Sequence, residues 1–367
     1  MRVEVLVVGG GPAGAMAARR LAENQKEVLI VERELMRLKP CGGGIPSTAF
    51  QDLDIPLRVK HVSVNKIRIY SPSDRVLEIA LEGGSIILVN RREFDSCLRD
   101  IALSAGAGLV VGTLTDIKKK KKSLIASIKT SQKVIEVEAD YLIAADGINS
   151  KTRFLMSIKP NQYVYTLSGK LEDTTTDVCE FWFSQAHAPR GYSWVFPSMS
   201  GVSIGTGTFE PKEAREYFKR FLIRRFKDDD LLKDIKQLRG YKVPYWSENT
   251  YYKDRVFFVG DAGGHVMPFT FEGIYYSMKS GAFAAQAIIE GRPSLFKKLW
   301  RKRFYSRFRL MKAIQEYFLK SDDRFEQLFN LFQRKDVQEV SMLLWLRKDS
   351  SKSSIIRYIN FFRKFLH

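Results

Sequence analysis

Cysteine and histidine are scarce in this chain, which limits the kinds of site it could carry. Its 367 residues include three cysteines and four histidines. Cys41, Cys97 and Cys179 are an odd number of widely separated residues, a pattern that is not typical of a disulfide-stabilised scaffold. The sequence has no C-x-x-C pair or tight Cys/His cluster, so it indicates neither structural zinc nor a four-cysteine iron–sulfur cluster. We therefore expect no metal site.

The sequence also lacks a hydrophobic run long enough to cross a membrane. A spanning helix needs about 18 or more predominantly apolar residues. The apolar run at residues 340–346 contains Ser341 and is followed by Arg347. Arg2 and Glu4 place charges of both signs at the start of the chain, which is not typical of a signal peptide. The expected location is the cytoplasm.

Positive charge, in contrast, is abundant and concentrated near the C-terminus. The formal net charge is +19, and residues 295–367 alone contain 18 Lys and Arg against 7 Asp and Glu. This region also holds apolar residues at helical spacing, on one predicted face: Ile355, Tyr358, Ile359, Phe362 and Phe365. Two interpretations stay open. The face could contact an anionic membrane surface on the inner side of the cell membrane, or it could pack on the protein itself. No nucleic-acid-binding motif accompanies the charge, so we expect no nucleic acid partner.

A glycine-rich turn near the N-terminus predicts a dinucleotide site. Residues 9–14 read Gly-Gly-Gly-Pro-Ala-Gly, between a short apolar strand and a helix-forming stretch, and a second strand then ends at Glu32. In this pattern Gly9 permits the tight turn, Gly11 lets backbone amides approach a pyrophosphate, and Gly14 lets helix and strand pack closely. Glu32 is placed to accept hydrogen bonds from ribose hydroxyls. The motif alone does not distinguish NAD from FAD.

Three later segments resemble FAD fingerprints. Residues 91–95 (RREFD), 141–150 (YLIAADGINS) and 255–264 (RVFFVGDAGG) are similar to segments of the p-hydroxybenzoate hydroxylase-like flavoproteins. This resemblance implies FAD, with Asp261 near the ribityl hydroxyls and a helix from about residue 274 to 290 aimed at the flavin pyrimidine ring. The cofactor contacts it implies are Gly9, Gly11, Pro12, Ala13, Gly14, Glu32, Arg33, Cys41, Gly42, Arg91, Asp146, Gly260, Asp261, Gly273 and Ile274.

Two further segments narrow the family. Residues 41–44 (CGGG) and 189–197 (PRGYSWVFP) resemble the C-G-G-G and P-x-x-Y-x-W-x-F-P signatures of the geranylgeranyl reductase family. That family contains FAD-dependent enzymes that saturate isoprenoid double bonds in archaeal ether lipids, chlorophyll side chains and quinone tails. The resemblance implies a reductase of geranylgeranyl chains on a membrane lipid, with the archaeal-type ether lipid favoured. It leaves three alternatives open: a prenyl-quinone reductase, a chlorophyll side-chain reductase, and a flavin-dependent monooxygenase or halogenase on the same fold.

The same resemblance suggests the residues of the reaction site. Cys41, Gly42 and Gly43 are the catalytic candidates, with Cys41 as proton donor or as a group that tunes the site. Aromatic residues alternate along a predicted strand and would form one wall of a prenyl site. The predicted substrate contacts are Tyr192, Trp194, Phe196, Trp182 from a neighbouring strand, and His265. For His265 a structural, hydrogen-bonded role stays equally open.

The order of these segments predicts a discontinuous α/β architecture. We expect a Rossmann-like FAD-binding domain built from residues 1–60, 91–155 and 255–290. Residues 61–90 and 156–254 would form an inserted antiparallel β-sheet substrate domain with a helix at 213–226, and residues 291–367 a helical, basic C-terminal region. No second dinucleotide motif appears, so the electron donor stays open among NADPH, ferredoxin and another reduced carrier.

Overall fold

The fold was analysed in a computed structural model that describes residues 1–348 and 351–365, without the side chains of Lys352 and Lys364. The strands are β1 (Arg2–Val8), β2 (Val28–Glu32), β3 (Gly44–Pro46), β4 (His61–Val64), β5 (Lys66–Tyr70), β6 (Val76–Ala80), β7 (Ile86–Val89), β8 (Gly108–Val111), β9 (Thr113–Lys119), β10 (Leu124–Lys129), β11 (Val134–Ala144), β12 (Tyr163–Leu171), β13 (Cys179–Trp182), β14 (Ser193–Ser198), β15 (Gly201–Thr208), β16 (Lys236–Pro244), β17 (Tyr252–Lys253) and β18 (Val256–Phe258). The helices are α1 (Pro12–Ala22), α2 (Thr48–Asp52), α3 (Arg91–Ser104), α4 (Lys151–Leu155), α5 (Ala214–Phe226), α6 (Ile274–Ile289), α7 (Ser294–Trp300), α8 (Ser306–Phe318), α9 (Asp322–Phe332), α10 (Lys335–Trp345) and α11 (Lys352–Phe362).

An eight-stranded sheet forms the first layer of the fold. Its main path runs β17-β18-β11-β1-β2-β8, and β9 and β10 extend it as a hairpin from β11. β1 lies between β2 and β11, and all three run parallel; α1 makes the crossover from β1 to β2. Val5 and Val7 point to one face, where they share an apolar cluster with α1 and α6; Leu6 and Val8 pack on the other. The predicted Rossmann-like core is confirmed.

A seven-stranded sheet forms the second layer, in the order β16-β12-β15-β14-β13-β5-β6. It is antiparallel except for β13 and β5, which pair in parallel. α5 covers one face through Phe218 and Phe221, both fully buried. The strands β4 and β7 do not join this sheet; with β3 they make a separate three-stranded sheet.

The C-terminal helices pack on the body of the protein. Trp300 and Phe304 belong to the cluster around α1 and α6, whereas α9, α10 and α11 cover β5, β6 and β7. Tyr358 and Phe362 of the predicted amphipathic face are buried, while Ile359 on the same helix is exposed. Most of that face therefore packs inward. None of the helices within the described ranges is long and apolar enough to cross a membrane.

Candidate active site

Two cavities adjoin between the sheets. The smaller, about 160 Å³, lies over the β1–α1 turn and is named here the dinucleotide cavity. The larger, about 290 Å³, extends between the seven-stranded sheet and the C-terminal helices and is named the apolar cavity. Six residues line both: Pro12, Lys39, Arg91, Tyr241, Asp261 and Ser277. The two cavities therefore meet at these side chains.

The glycine turn shapes the floor of the dinucleotide cavity. Gly11 is the N-cap of α1, and a Cβ added there would meet no atom within 4 Å, so space is open above the helix N-terminus. Such a cradle suits a phosphate, which hydrogen-bonds to free backbone amides and gains from the helix dipole. Gly14 does not line the cavity; a Cβ there would clash with the carbonyl oxygen of Gly9. Its role is the close packing of α1 on the turn.

Acidic and basic side chains surround this turn. Glu32 ends β2, and its carboxylate accepts a hydrogen bond from the Gly10 amide at 2.7 Å. Arg33 lies next to it and also lines the dinucleotide cavity. Arg99 on α3 lines the same cavity and donates to the carbonyl oxygen of Gly10 at 3.2 Å. Sequence reasoning missed Arg99, because a single arginine within a helix carries no signal of its destination.

The Asp-Gly and Gly-Asp segments both bring a carboxylate to the dinucleotide cavity. Asp146 accepts from Ser150 Oγ at 2.6 Å and from the Thr152 amide at 2.8 Å, so it also fixes the start of α4. Burial raises the pKa of Asp146. Asp261, which follows β18, forms an ion pair with Lys39 Nζ at 2.6 Å. Lys39 was not predicted, although it directly precedes the Pro-Cys-Gly-Gly-Gly segment.

Arg91 connects the dinucleotide cavity to the predicted catalytic strip. Its guanidinium makes two hydrogen bonds to Asp95, at 2.9 and 2.8 Å, and lies beside the Cys41 thiol. Cys41 is exposed, and its sulfur accepts a hydrogen bond from the Gly43 amide at 3.3 Å. Cys41, Gly42 and Gly43 all line the apolar cavity. The strip therefore lies at the junction with the dinucleotide cavity.

Glycine is required in this strip because aromatic rings pack against it. A Cβ at Gly42 would lie 2.6 Å from the Phe196 ring. The indole Nε1 of Trp194 would be 3.5 Å from the same atom; it is buried and has no hydrogen-bond partner within the described part of the chain. Across the cavity lie Gly273, the N-cap of α6, and Ile274. Gly42 and the start of α6 therefore line the same cavity.

The aromatic wall is formed by Tyr192, Trp194 and Phe196, which line the apolar cavity together as the alternation predicts. Trp182 does not join them. It pairs with Ser193 in the β13–β14 ladder, so it points to the opposite face, whereas Phe181 pairs with Trp194 and lines the cavity. The prediction for Trp182 is wrong, because a one-residue change in register reverses the face of the sheet.

Trp182 instead belongs to the cluster under α5. Its ring stacks on Tyr70 with centroids 3.6 Å apart and meets Phe221 edge-on at 6.1 Å. Its indole Nε1 donates to the Glu180 carboxylate at 2.8 Å. Tyr192 has a different anchor: its hydroxyl donates to the carbonyl oxygen of Thr270 at 2.7 Å. Phe181 lies two residues after buried Cys179. The sequence could have identified it as a cavity residue only if the register of the strands had been known.

His265 contacts neither cavity, so the predicted substrate contact is wrong. Its ring is fully buried between Tyr251 and Trp300, with ring centroids 4.9 and 4.0 Å away. Neither ring nitrogen has a hydrogen-bond partner in the described structure, although the His265 amide donates to Gly260 at 2.9 Å. Burial lowers the pKa of His265 to about 3, so the ring is neutral. It is a packed structural residue without side-chain hydrogen bonds.

The end of the apolar cavity away from the dinucleotide cavity is formed by strands and helices that contain none of the sequence motifs. The side chains that line it come from β5, β6 and β7 and from α9, α10 and α11: Ile67, Ile69, Ile79, Ile86, Phe325, Phe332, Met342, Leu344, Trp345 and Tyr358. Apolar spacing indicated the helix at residues 355–365, but periodicity does not say which surface a helix faces. The C-terminal helices therefore form one wall of the cavity.

The geometry can now be set beside known proteins. The FAD binding domain family matches residues 2–290 of the chain. Geranylgeranyl diphosphate reductase of Rhodobacter capsulatus is 30% identical over 368 residues, which cover 96% of this chain and 93% of that protein. The chain belongs to the geranylgeranyl reductase family. It is therefore an FAD-dependent oxidoreductase.

Two further proteins that are similar to this chain agree with this assignment. Digeranylgeranylglycerophospholipid reductase of Methanothrix thermoacetophila is 28% identical and covers 95% of each chain. A crystal structure of a geranylgeranyl bacteriochlorophyll reductase-like protein from Thermoplasma acidophilum superposes with a TM-score of 0.85 at 25% identity, over 99% of this chain and 98% of that one. The open cradle at Gly11 and the carboxylates of Glu32 and Asp261 fit the FAD of this family.

Proposed function

We propose that this geranylgeranyl reductase family member saturates carbon–carbon double bonds of geranylgeranyl chains. The observation that carries the proposal is the apolar cavity, about 290 Å³ of mainly apolar and aromatic lining that opens directly onto the dinucleotide cavity. Burial of apolar surface and contact with aromatic rings are the main interactions available to a polyprenyl chain. Bound, reduced FAD supplies hydride to one alkene carbon.

The residues proposed to hold FAD fall into groups, each of which would contact a different part of the cofactor. Gly9, Gly11, Pro12 and Ala13 would receive the pyrophosphate at the N-terminus of α1, and Glu32 the ribose. Asp261 would bind ribityl hydroxyls, in competition with its ion pair to Lys39. Gly42, Gly273 and Ile274 would enclose the flavin ring. The remaining contacts proposed are Arg33, Cys41, Arg91, Asp146 and Gly260, which all line one of the cavities.

Within the apolar cavity, the aromatic wall would hold a bound prenyl chain beside Gly42. Tyr192, Trp194 and Phe196 present ring surface on one side, and Phe181 extends it. The indole N–H of Trp194, which has no hydrogen-bond partner among the described residues, is a donor inside the cavity that is available to a polar atom of a bound ligand. The wall excludes water, so a reactive alkene would be held in a dry environment.

Cys41 is the proposed proton donor to the second alkene carbon. It lines the apolar cavity beside Arg91, which lines both cavities, so both the flavin and the chain would be in reach. The neighbouring Arg91 guanidinium, itself held by two hydrogen bonds to Asp95, lies beside the thiol. Solvent reaches the exposed thiol and can return the proton.

The finer proposal concerns the group that carries the chain. We propose a membrane lipid of the archaeal ether type, supported by the relative named digeranylgeranylglycerophospholipid reductase. The basic C-terminal region would attract anionic head groups, and exposed Ile356 and Ile359 on α11 would meet the bilayer surface. The relative named geranylgeranyl diphosphate reductase makes the free diphosphate the alternative.

One anaerobic experiment tests the reaction and the carrier together. The FAD-loaded protein is reduced with dithionite and mixed separately with geranylgeranyl diphosphate, a digeranylgeranyl glycerophospholipid and a prenylquinone. Flavin reoxidation is followed by absorbance, and the chains by mass spectrometry. We expect mass gains in steps of two hydrogens, fastest with the lipid. Reoxidation by oxygen alone, with no change in any chain, would contradict the proposed function.

A further inference from the structure

A buried ion pair joins the C-terminal region to the loop before α6. Lys348 Nζ lies 2.7 and 2.6 Å from the two carboxylate oxygens of Glu272. The side chains are only 2% and 8% exposed, respectively. Removing either partner would take a buried opposite charge away from the other, and breaking a buried ion pair in this way is strongly unfavourable.

The acidic member of the pair lies where a flavin would respond to it. Glu272 lines the apolar cavity and directly precedes Gly273, the N-cap of α6. In the proposed arrangement this helix N-terminus faces the pyrimidine ring, which gains negative charge on reduction. An uncompensated carboxylate at this position would oppose that charge and cancel the benefit of the helix dipole.

The basic member is held away from the cavity by its surroundings. Its ammonium group lies 5.0 and 5.2 Å from the ring centres of Tyr275 and Tyr276, both on α6. The carbonyl oxygen of Leu346, two residues earlier, accepts a hydrogen bond from Thr48. Lys348 does not line the cavity, so any effect on a bound ligand would pass through Glu272.

We infer that Lys348 neutralises Glu272 and thereby sets how readily the bound flavin is reduced. The inference rests on the flavin placement in the proposed function. It makes Lys348 a positioning residue, contributed by the same C-terminal region that covers the apolar cavity. Arg307 also lines that cavity, and its charge is the same in each variant described below, so it cancels from their comparison.

The test is a double-mutant cycle on the midpoint potential of bound FAD. Wild type, Lys348→Met, Glu272→Gln and the double variant are loaded with FAD and titrated anaerobically at pH 7 against an indicator dye. We expect a more negative potential in Lys348→Met and a more positive one in Glu272→Gln. The double variant should return most of the way to the wild-type value, since both charges are then absent.

Lys348→Arg is the matched control, because it keeps the charge and should keep the wild-type potential. FAD content and the thermal unfolding midpoint of each variant report on folding. If Lys348→Met fails to bind FAD, the Glu272→Gln potential decides alone, and a value more negative than wild type overturns the inference. A shift in Lys348→Met that the second substitution does not reverse also overturns it, because a structural disturbance would behave in that way.

These potentials separate the inference from the proposed function. They are measured without a prenyl substrate, so they are defined even for a protein that reduces no lipid. Unchanged potentials together with normal reduction of geranylgeranyl chains would overturn only the role of Lys348. Shifted and compensating potentials in a protein inactive on every chain would support the role of Lys348 and contradict the proposed function.

Discussion

At the scale of single residues, two cysteines line the apolar cavity in different environments. Cys41 is exposed at the flavin end, next to Arg91. Cys179 is fully buried at the start of β13, and burial raises the pKa of its thiol. Only Cys41 can exchange a proton with solvent between turnovers. The sequence could propose Cys41 because it stands in a family signature, whereas the position of Cys179 depends on strand packing.

We predict that Cys41→Ala slows substrate-dependent flavin reoxidation about 100-fold, the lower range for loss of a general acid. FAD binding should persist, because the thiol is one of many contacts. Cys179→Ala is the control and should keep its rate at saturating substrate. The measurement is anaerobic stopped-flow absorbance of the reduced protein. Full turnover in Cys41→Ala would remove this thiol from the mechanism.

Two tryptophans on neighbouring strands differ in the face of the sheet to which they point, and this difference could not be predicted from the sequence. Trp194 and Trp182 both lie on strands predicted to be near the substrate, but the ladder register puts them on opposite faces. We predict that Trp194→Phe raises the KM for the prenyl substrate about 10-fold, equivalent to about 1.4 kcal/mol of lost binding. Trp182→Phe should leave KM unchanged and lower stability by about 1–3 kcal/mol, since Glu180 loses a buried donor. Steady-state kinetics and denaturation of both variants check this, and equal KM effects would contradict it.

At the scale of elements, local signals predicted some segments well. The glycine turn marked β1, α1 and β2, and the predicted helices at 213–226 and 274–290 correspond to α5 and α6, which end within one residue of those bounds. The helical character of the C-terminal region is also confirmed. Its place in the site was not predictable, because the apolar stripe on α11 would look the same against a membrane as against β5 and β6. The division into three domains stays a proposal.

The far end of the cavity leads to a prediction about chain length. Met342 on α10 lines this end and is 8% exposed, so a larger side chain there would shorten the space. We expect Met342→Trp to reduce turnover of a C20 prenyl chain about 10-fold or more, whereas turnover of a C15 chain should be retained. The size of the effect follows from the free-energy cost of a methylene group that fits poorly in a hydrophobic pocket. Met342→Leu, similar in volume, should behave as wild type. Competition between the C20 and C15 substrates, measured by mass spectrometry, gives the ratio of their turnover rates. A ratio equal to that of the wild type would mean that the prenyl chain does not reach Met342.

At the scale of the whole molecule, stability should depend on two buried histidines that line neither cavity. His187 hydrogen-bonds to Ser193 Oγ at 2.9 Å, and His265 lies in the aromatic cluster around Trp300. Burial lowers the pKa of each to about 3, from an ordinary value of 6.5. Between those values the unfolded chain binds protons that the folded chain does not. The free energy of unfolding therefore falls as the pH decreases below about 6.5.

The window from pH 6.5 to 5 lies above most of the carboxylate titration, because carboxylates in the unfolded chain are half-protonated only near pH 4. Each histidine should cost about 2 kcal/mol over that interval, at about 1.4 kcal/mol per pH unit. His265→Phe should remove roughly half of the total loss and be tolerated at pH 7, since neither ring nitrogen has a hydrogen-bond partner among the described residues. Chemical denaturation of the FAD-loaded protein at both pH values measures the difference. An equal loss in wild type and variant would mean that the folded protein protonates His265 without cost, which its complete burial does not allow.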